Sequence, residues 1–200
     1  MTAVERLRAD HAPALLAFER ENRAFFAASV PDRGDEFFAG FDARLAGLLA
    51  EQAAGTDHFH VLAEDDGTVL GRVNLVGVAG GSAELGYRVA ERATGRGLAT
   101  SAVREVCALA FAEYGLTALR ARTTVDNAGS RAVLARTGFA EAGAITLMGK
   151  PGLLFTRDLA DPIPPTGSPV THSGGAPRCG TPPGCGSWSA VISRRRPARP

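Results

Sequence analysis

A chain of 200 residues that is 45 % hydrophobic and 22 % charged can bury one sizeable core, and no stretch reaches the ~20 apolar residues that a membrane-spanning helix needs. The net charge of +1 hides a division: residues 161–200 hold Arg178, Arg194, Arg195, Arg196 and Arg199 against Asp161, leaving 17 basic and 20 acidic residues in the first 160. A slightly acidic body lacks the clustered basic face of a nucleic-acid binder, and the first ten residues hold no apolar leader, so the expectation is a cytoplasmic protein without nucleic-acid or membrane partners.

Residues 11–20 and 34–53 place Leu15, Leu16 and Phe18, then Phe37, Phe38, Phe41, Leu45, Leu48 and Leu49, at helical spacing, which predicts two helices interrupted at Pro31 and Gly34. Residues 59–63 and 69–78 predict two strands joined through Glu64, Asp65, Asp66 and Gly67, whose turn chemistry suits a hairpin. His58 and His60 share one face of the first of these, and are expected to be partly exposed strand residues rather than metal ligands. A third strand is expected at about 83–90. Residues 97–114 repeat Ala99, Ala102, Val103, Val106, Cys107, Ala110 and Phe111 at steps of three and four, which predicts an amphipathic helix packed on a sheet and ended by Gly115. Alternation over 119–125 predicts a strand, 129–137 a helix, and 144–147 with 153–159 a closing strand pair.

Nine of the twelve prolines lie in 161–200 among Gly, Ser and Thr, a composition that cannot bury enough surface to offset ordering entropy. The expected organisation is therefore a folded domain over 1–160 and a disordered tail over 161–200. Helices, a strand meander and a β-α-β-α-β-β run make the fold class α+β, with a mixed sheet. The three cysteines, Cys107, Cys179 and Cys185, are read as reduced, and His172 with the last two lacks the paired spacing of a structural zinc site, so no metal is expected.

Chemistry concentrates in residues 84–100, a strand running through a glycine loop into a helix. Gly95 and Gly97 leave consecutive backbone N–H groups free to converge, and the helix start adds the positive end of its dipole, which suits a phosphate or pyrophosphate. Arg92 and Arg96 are placed to add charge-assisted hydrogen bonds. The Walker and dinucleotide patterns both fail here, since no Gly-Lys-Ser/Thr follows and Thr100 stands where the third small residue of the dinucleotide pattern belongs.

Arg92, Gly95 and Gly97 instead resemble the Gln/Arg-x-x-Gly-x-Gly/Ala loop of the GNAT superfamily of N-acetyltransferases, which holds the coenzyme A pyrophosphate. Asn127 and Ser130, opening a helix that ends at Gly138 and Phe139, are similar to the second signature of that superfamily. Glu21, Asn22, Arg23, Phe25 and Phe26, with Glu84 to Tyr87, resemble its RimJ/RimL branch, the ribosomal-protein-alanine N-acetyltransferases. The resemblance spans about residues 5–160 and implies the GNAT (acyl-CoA N-acyltransferase) fold, a mixed and mostly antiparallel central sheet flanked by helices.

It further implies acetyl-CoA as cosubstrate and direct transfer to an amine, with a protein N-terminal α-amine favoured over an antibiotic, polyamine or amino acid. A non-catalytic acyl-CoA-binding module and a generic phosphate-binding domain are the rival readings. An attacking amine must lose its proton, and Glu84 is the candidate base. The tyrosine with which many family members protonate the leaving thiolate is replaced by Leu134, and Ser130 is the nearest substitute, as in the RimL branch. Backbone groups of Tyr87, Arg88 and Val89 are expected along the pantetheine arm, Leu98 and Ala99 at the pyrophosphate, and Asn127 on the pantetheine. Phe25, Phe26 and Asn74 are the candidate acceptor contacts. Cys107, inside a packed helix pattern, is not expected to act as a nucleophile. The assembly is expected to be a monomer or homodimer.

Overall fold

The computed structural model describes residues 2–161. The expected disordered tail, with His172, Cys179 and Cys185, lies outside them. A seven-stranded sheet is built from β1 (Thr2–Arg6), β2 (Asp57–Glu64), β3 (Val69–Ala79), β4 (Ser82–Val89), β5 (Ala118–Thr124), β6 (Ala140–Leu147) and β7 (Lys150–Asp158), in the spatial order β1-β2-β3-β4-β5-β7-β6. All neighbours run antiparallel except β4 and β5. The fold is α+β with a mixed sheet, as expected from the sequence.

The helices are α1 (Ala12–Glu21), α2 (Arg23–Ala27), α3 (Asp35–Ala39), α4 (Phe41–Ala53), α5 (Leu98–Ala112) and α6 (Ala128–Arg136). The helix expected over 34–53 is two: Gly40 leaves helical geometry at φ −95 and ψ 18 and divides α3 from α4, although the apolar spacing continues through it. Strand β1 has no counterpart in the sequence reading. It pairs with β2 from Thr2↔Glu64 to Arg6↔His60, and β6 begins at Ala140 rather than 144. Among the described residues no helix is long and apolar enough to cross a membrane.

Each sheet face carries its own hydrophobic cluster. On one, Val73, Leu75, Leu85, Leu119 and Ala121 meet Val103, Val106, Cys107 and Ala110 of α5 and Leu134 of α6. On the other, Phe59, Val61, Leu70 and Val76 meet Leu15 and Phe18 of α1, Phe26 of α2, and Phe37, Phe41, Leu45 and Leu48 from α3 and α4. Full burial of each Val, Leu or Phe side chain among these contributes about 1.5–3 kcal/mol. Leu98, the first residue of α5, packs against both clusters.

The expectation that His58 and His60 are partly exposed is corrected: they are 7 % and 1 % exposed. The His58 ring stacks on Tyr114 with centroids 3.7 Å apart, and His60 Nε2 lies 2.9 Å from the Tyr114 hydroxyl. A tyrosine from the end of α5 covers both rings, which strand alternation alone does not reveal.

The feature that positions the site is a split in the sheet. The parallel β4–β5 ladder covers only Ser82↔Ala118 to Leu85↔Ala121. Strand β4 continues to Val89 on its β3 side, and β5 continues to Thr124 on its β7 side. The two strands therefore diverge beyond Leu85, leaving the β5-facing backbone of residues 86–89 without a strand partner.

Candidate active site

A cavity of about 840 Å³ lies at the split and is lined by residues from both strands and from elements on both faces of the sheet. Its walls come from the second half of β4, the loop into α5, the first turns of α5 and α6, the ends of β5, and the α2–α3 connection.

On the α5 side, Gly95 and Gly97 adopt φ +74 and +76, a left-handed conformation that costs other L-residues about 1–2 kcal/mol. This bends the chain so that α5 starts against the cavity with no side-chain cap. Among the described residues, the backbone N–H groups from Gly95 to Thr100 donate to no protein acceptor; the first inward bond of the helix is Ser101 N–H to the Gly97 carbonyl, 3.0 Å. Six adjacent donors left without a protein acceptor at a helix N-terminus are the groups from which an anion cradle can be made. Leu98 and Ala99 line the cavity with Gly95 and Gly97, whereas Arg92 and Arg96 are exposed and lie outside its lining.

Asn127 caps α6, its Oδ1 accepting from the Ser130 amide at 3.0 Å, and this leaves its amide nitrogen for another partner. Ser130 Oγ lies 3.0 Å from the Tyr87 hydroxyl, which also donates to the Ser130 carbonyl at 3.1 Å. Burial pushes the Tyr87 phenol up to about 12, partly offset by the hydrogen bond from Ser130, so it stays protonated at neutral pH. From the sequence only the backbone of Tyr87 is expected to act, because side-chain identity matters little for pairing with an added strand. Leu134 is buried in the α5-side cluster.

Across the split, Glu84 Oε1 and Oε2 accept from Arg122 Nε at 2.9 Å and Nη2 at 2.6 Å. A carboxylate has about four lone-pair sites, so two remain for a further donor. On the same sheet face, Asn74 lies opposite Gly86 and Arg72 opposite Arg88. Phe25, 36 % exposed, and Phe26, 9 % exposed, line this half with Asn74, Arg33, Arg44, Arg72 and Arg88. Of these arginines the sequence points to Arg88 alone, and only through its backbone, since Glu19 is 53 residues from its partner Arg72 and a strand arginine ordinarily reads as solvent-facing. Cys107 is 2 % exposed, and burial pushes its thiol up to about 11.

Residues 3–140 match the acetyltransferase (GNAT) domain family. The chain belongs to that family. This GNAT chain is 29 % identical over 134 residues to the probable N-acetyltransferase YjcK of Bacillus subtilis, a match covering 64 % of this chain and 74 % of that protein. Its fold superposes on the ribosomal-protein-S5-alanine acetyltransferase of Vibrio fischeri with a TM-score of 0.76 at 20 % identity, over 82 % of this chain and 96 % of the other. It superposes on Mycobacterium smegmatis RimJ in complex with CoA-disulfide with a TM-score of 0.72 at 26 % identity, over 78 % and 81 %. The GNAT chain is an N-acetyltransferase, and its site chemistry suits coenzyme A: free amides for the diphosphate and an unpaired strand edge for the pantetheine amides.

Proposed function

We propose that this enzyme transfers the acetyl group of acetyl-CoA to the α-amine of a protein N-terminus, by direct attack in a ternary complex. The observation that carries the reading is the single cavity that joins the amide cradle of Gly95 to Thr100, through the β4–β5 split, to the Glu84 face. The diphosphate occupies the cradle, and the pantetheine arm adds to the free edge of Tyr87, Arg88 and Val89 as an extra strand would, with Asn127 as a side-chain contact. The thioester then lies at the split, reachable by an amine from the Phe25, Phe26 and Asn74 side. The name of the Vibrio fischeri protein, a ribosomal-protein-S5-alanine acetyltransferase, supports a protein acceptor.

The amine nitrogen attacks the thioester carbonyl carbon, a C–N bond forms and the C–S bond breaks. Glu84 takes the amine proton, directly or through a water, on a lone pair that Arg122 leaves open. The departing thiolate takes the Ser130 hydroxyl proton as Tyr87 passes its own to Ser130 across their 3.0 Å contact, and on product release Glu84 gives its extra proton to solvent while Tyr87 regains one from it. Cys107 has no part as a relay, since it is enclosed in the α5-side cluster and held as the thiol.

The test is release of free thiol from acetyl-CoA with a panel of N-terminal peptides and small amines, comparing the parent enzyme with Glu84→Gln. The expected loss in kcat is on the order of 10²- to 10⁴-fold at neutral pH. Unchanged kcat removes Glu84 from the mechanism, and turnover confined to small amines removes the N-terminal acceptor.

A further inference from the structure

The acceptor half of the cavity holds an imbalance of charge. Glu19 of α1 is 2 % exposed and meets three guanidinium groups: Arg72 Nη1 at 3.0 Å, Arg33 Nη1 at 3.3 Å and Arg88 Nη1 at 3.3 Å. Among the described residues these arginines have no other carboxylate, so three cations share one anion and the cluster carries a net two positive charges. Arg33, Arg72 and Arg88 all line the cavity, and Arg44 lines it beside them.

The neighbouring acids do not neutralise it. Asp32 and Asp35 are both held by Arg23 at 2.6 Å, Glu84 is held by Arg122, and Glu36 is exposed. A purely structural ion cluster is cheapest when balanced, because an uncompensated charge away from water is costly. Burial and the closeness of Arg88 pull Arg33 down to about 9, and its Nη1, shielded from solvent, stands 3.3 Å from Glu19 Oε1 in an orientation that makes no hydrogen bond. Arg33 and Arg88 also lie against the rings of Phe37 and Phe26, with centroids 4.5 Å and 4.8 Å away, which fixes their planes.

The register sets where this wall stands. Glu84, Gly86 and Arg88 share one face of β4, and Arg72 lies directly opposite Arg88 on β3. Four residues of strand separate Glu84 from Arg88, about 13 Å along the face. An amine held at Glu84 therefore reaches the wall with a group roughly two to four extended residues further along its own chain.

We propose that Arg33, Arg72 and Arg88 receive a carboxylate of the acceptor, so that the amine acetylated belongs to an acidic molecule, a protein N-terminus with Glu or Asp within its first four residues. This rests on the acceptor occupying the Glu84 side of the split. The two cations in excess of Glu19 are the complement of an added carboxylate, with guanidinium forks placed for charge-assisted pairing. The same excess repels a polyamine.

The full chain is assayed by thiol release on matched peptides beginning with Ala and carrying Glu, Gln or Lys at positions two to four, together with free glutamate and spermidine. The expected result is a kcat/KM about 10- to 100-fold higher for the Glu peptide than for the Gln peptide, expressed in KM, the range of a charge-assisted hydrogen bond. In Arg33→Gln that ratio falls towards one while KM for acetyl-CoA holds, a change that a merely structural role of Arg33 does not produce. Turnover of free glutamate without the peptides overturns the proposal, because its carboxylates stand too close to its amine to span the distance to the wall. Equal turnover of Glu and Gln peptides keeps the N-terminal acceptor and overturns the wall, as does preference for Lys peptides or spermidine.

Discussion

Replacing Glu19 by Gln preserves volume and deletes one charge, which isolates what the buried carboxylate does for stability. Glu19 is 2 % exposed, its partner Arg72 has a side chain 5 % exposed, and Arg33 and Arg88 stand within 3.3 Å. Removing one partner of a buried ion pair costs about 3–5 kcal/mol, here because three guanidinium groups are left facing one another. For a domain of this size each kcal/mol moves Tm by about 2–4 °C, so the expected fall at pH 7 is roughly 6–20 °C. Thermal unfolding followed by circular dichroism reads it, with Glu5→Gln as the comparison. Glu5 pairs with Arg8 at 2.6 Å, but the Arg8 side chain is 53 % exposed, and that variant is expected to leave Tm essentially unchanged.

The pH dependence supplies an independent sign. Burial alone would raise the Glu19 carboxyl, yet Arg88, Arg72 and Arg33 together hold it below its ordinary value of 4.5. A depressed folded value means the stabilisation is complete above the unfolded carboxyl's pKa and is lost as pH falls through the folded one. The gap between parent and Glu19→Gln therefore narrows below about pH 4. A Tm within ~2 °C of the parent at pH 7, or a gap that widens in acid, refutes the reasoning.

Tyr87→Phe and Ser130→Ala each remove one hydroxyl of the 3.0 Å pair, and both are expected to lower kcat by about tenfold or more while leaving acetyl-CoA affinity intact, measured by steady-state kinetics and calorimetry. Gly97→Ala places a Cβ at φ +76, which costs about 1–2 kcal/mol of stability; the loop relieves part of that strain by moving its amides, so acetyl-CoA binding weakens by about tenfold in calorimetry. His60 is pulled down to about 4 by burial, so it contributes stability at and above its unfolded value near 6.5 that is lost as pH falls from there through about 4. Urea melts between pH 7 and pH 4 check this, and His60→Gln is expected to flatten that part of the profile.

The parts of the molecule written in local chemistry were readable from sequence. The glycine loop before α5 announces its own conformation, since Gly95 and Gly97 sit where φ is positive, and the strand and helix periods around them are strong. Strand β1 is short and mostly exposed, with Thr2, Glu5 and Arg6 interrupting any alternation, so its pairing with β2 depends on residues 57 and beyond rather than on itself. Gly40 ends α3 inside an unbroken apolar period, a case where backbone freedom outweighs pattern. The cluster around Glu19 depends on contacts across 14 to 69 residues of chain, the last being the hydrogen bond to Arg88, and each member alone reads as a solvated charge. Burial of paired charge is a tertiary fact, and so is the hydroxyl pair of Tyr87 and Ser130, 43 residues apart.

Leu98 touches the hydrophobic cluster on either face of the sheet and also opens the helix whose amides form the cradle. It behaves as a keystone: slackening in either layer is transmitted to the helix start proposed to grip the diphosphate. Damage remote from the chemistry, such as a cavity beneath α4 or beneath α5, thus registers as poorer retention of the acyl donor before the chain as a whole gives way.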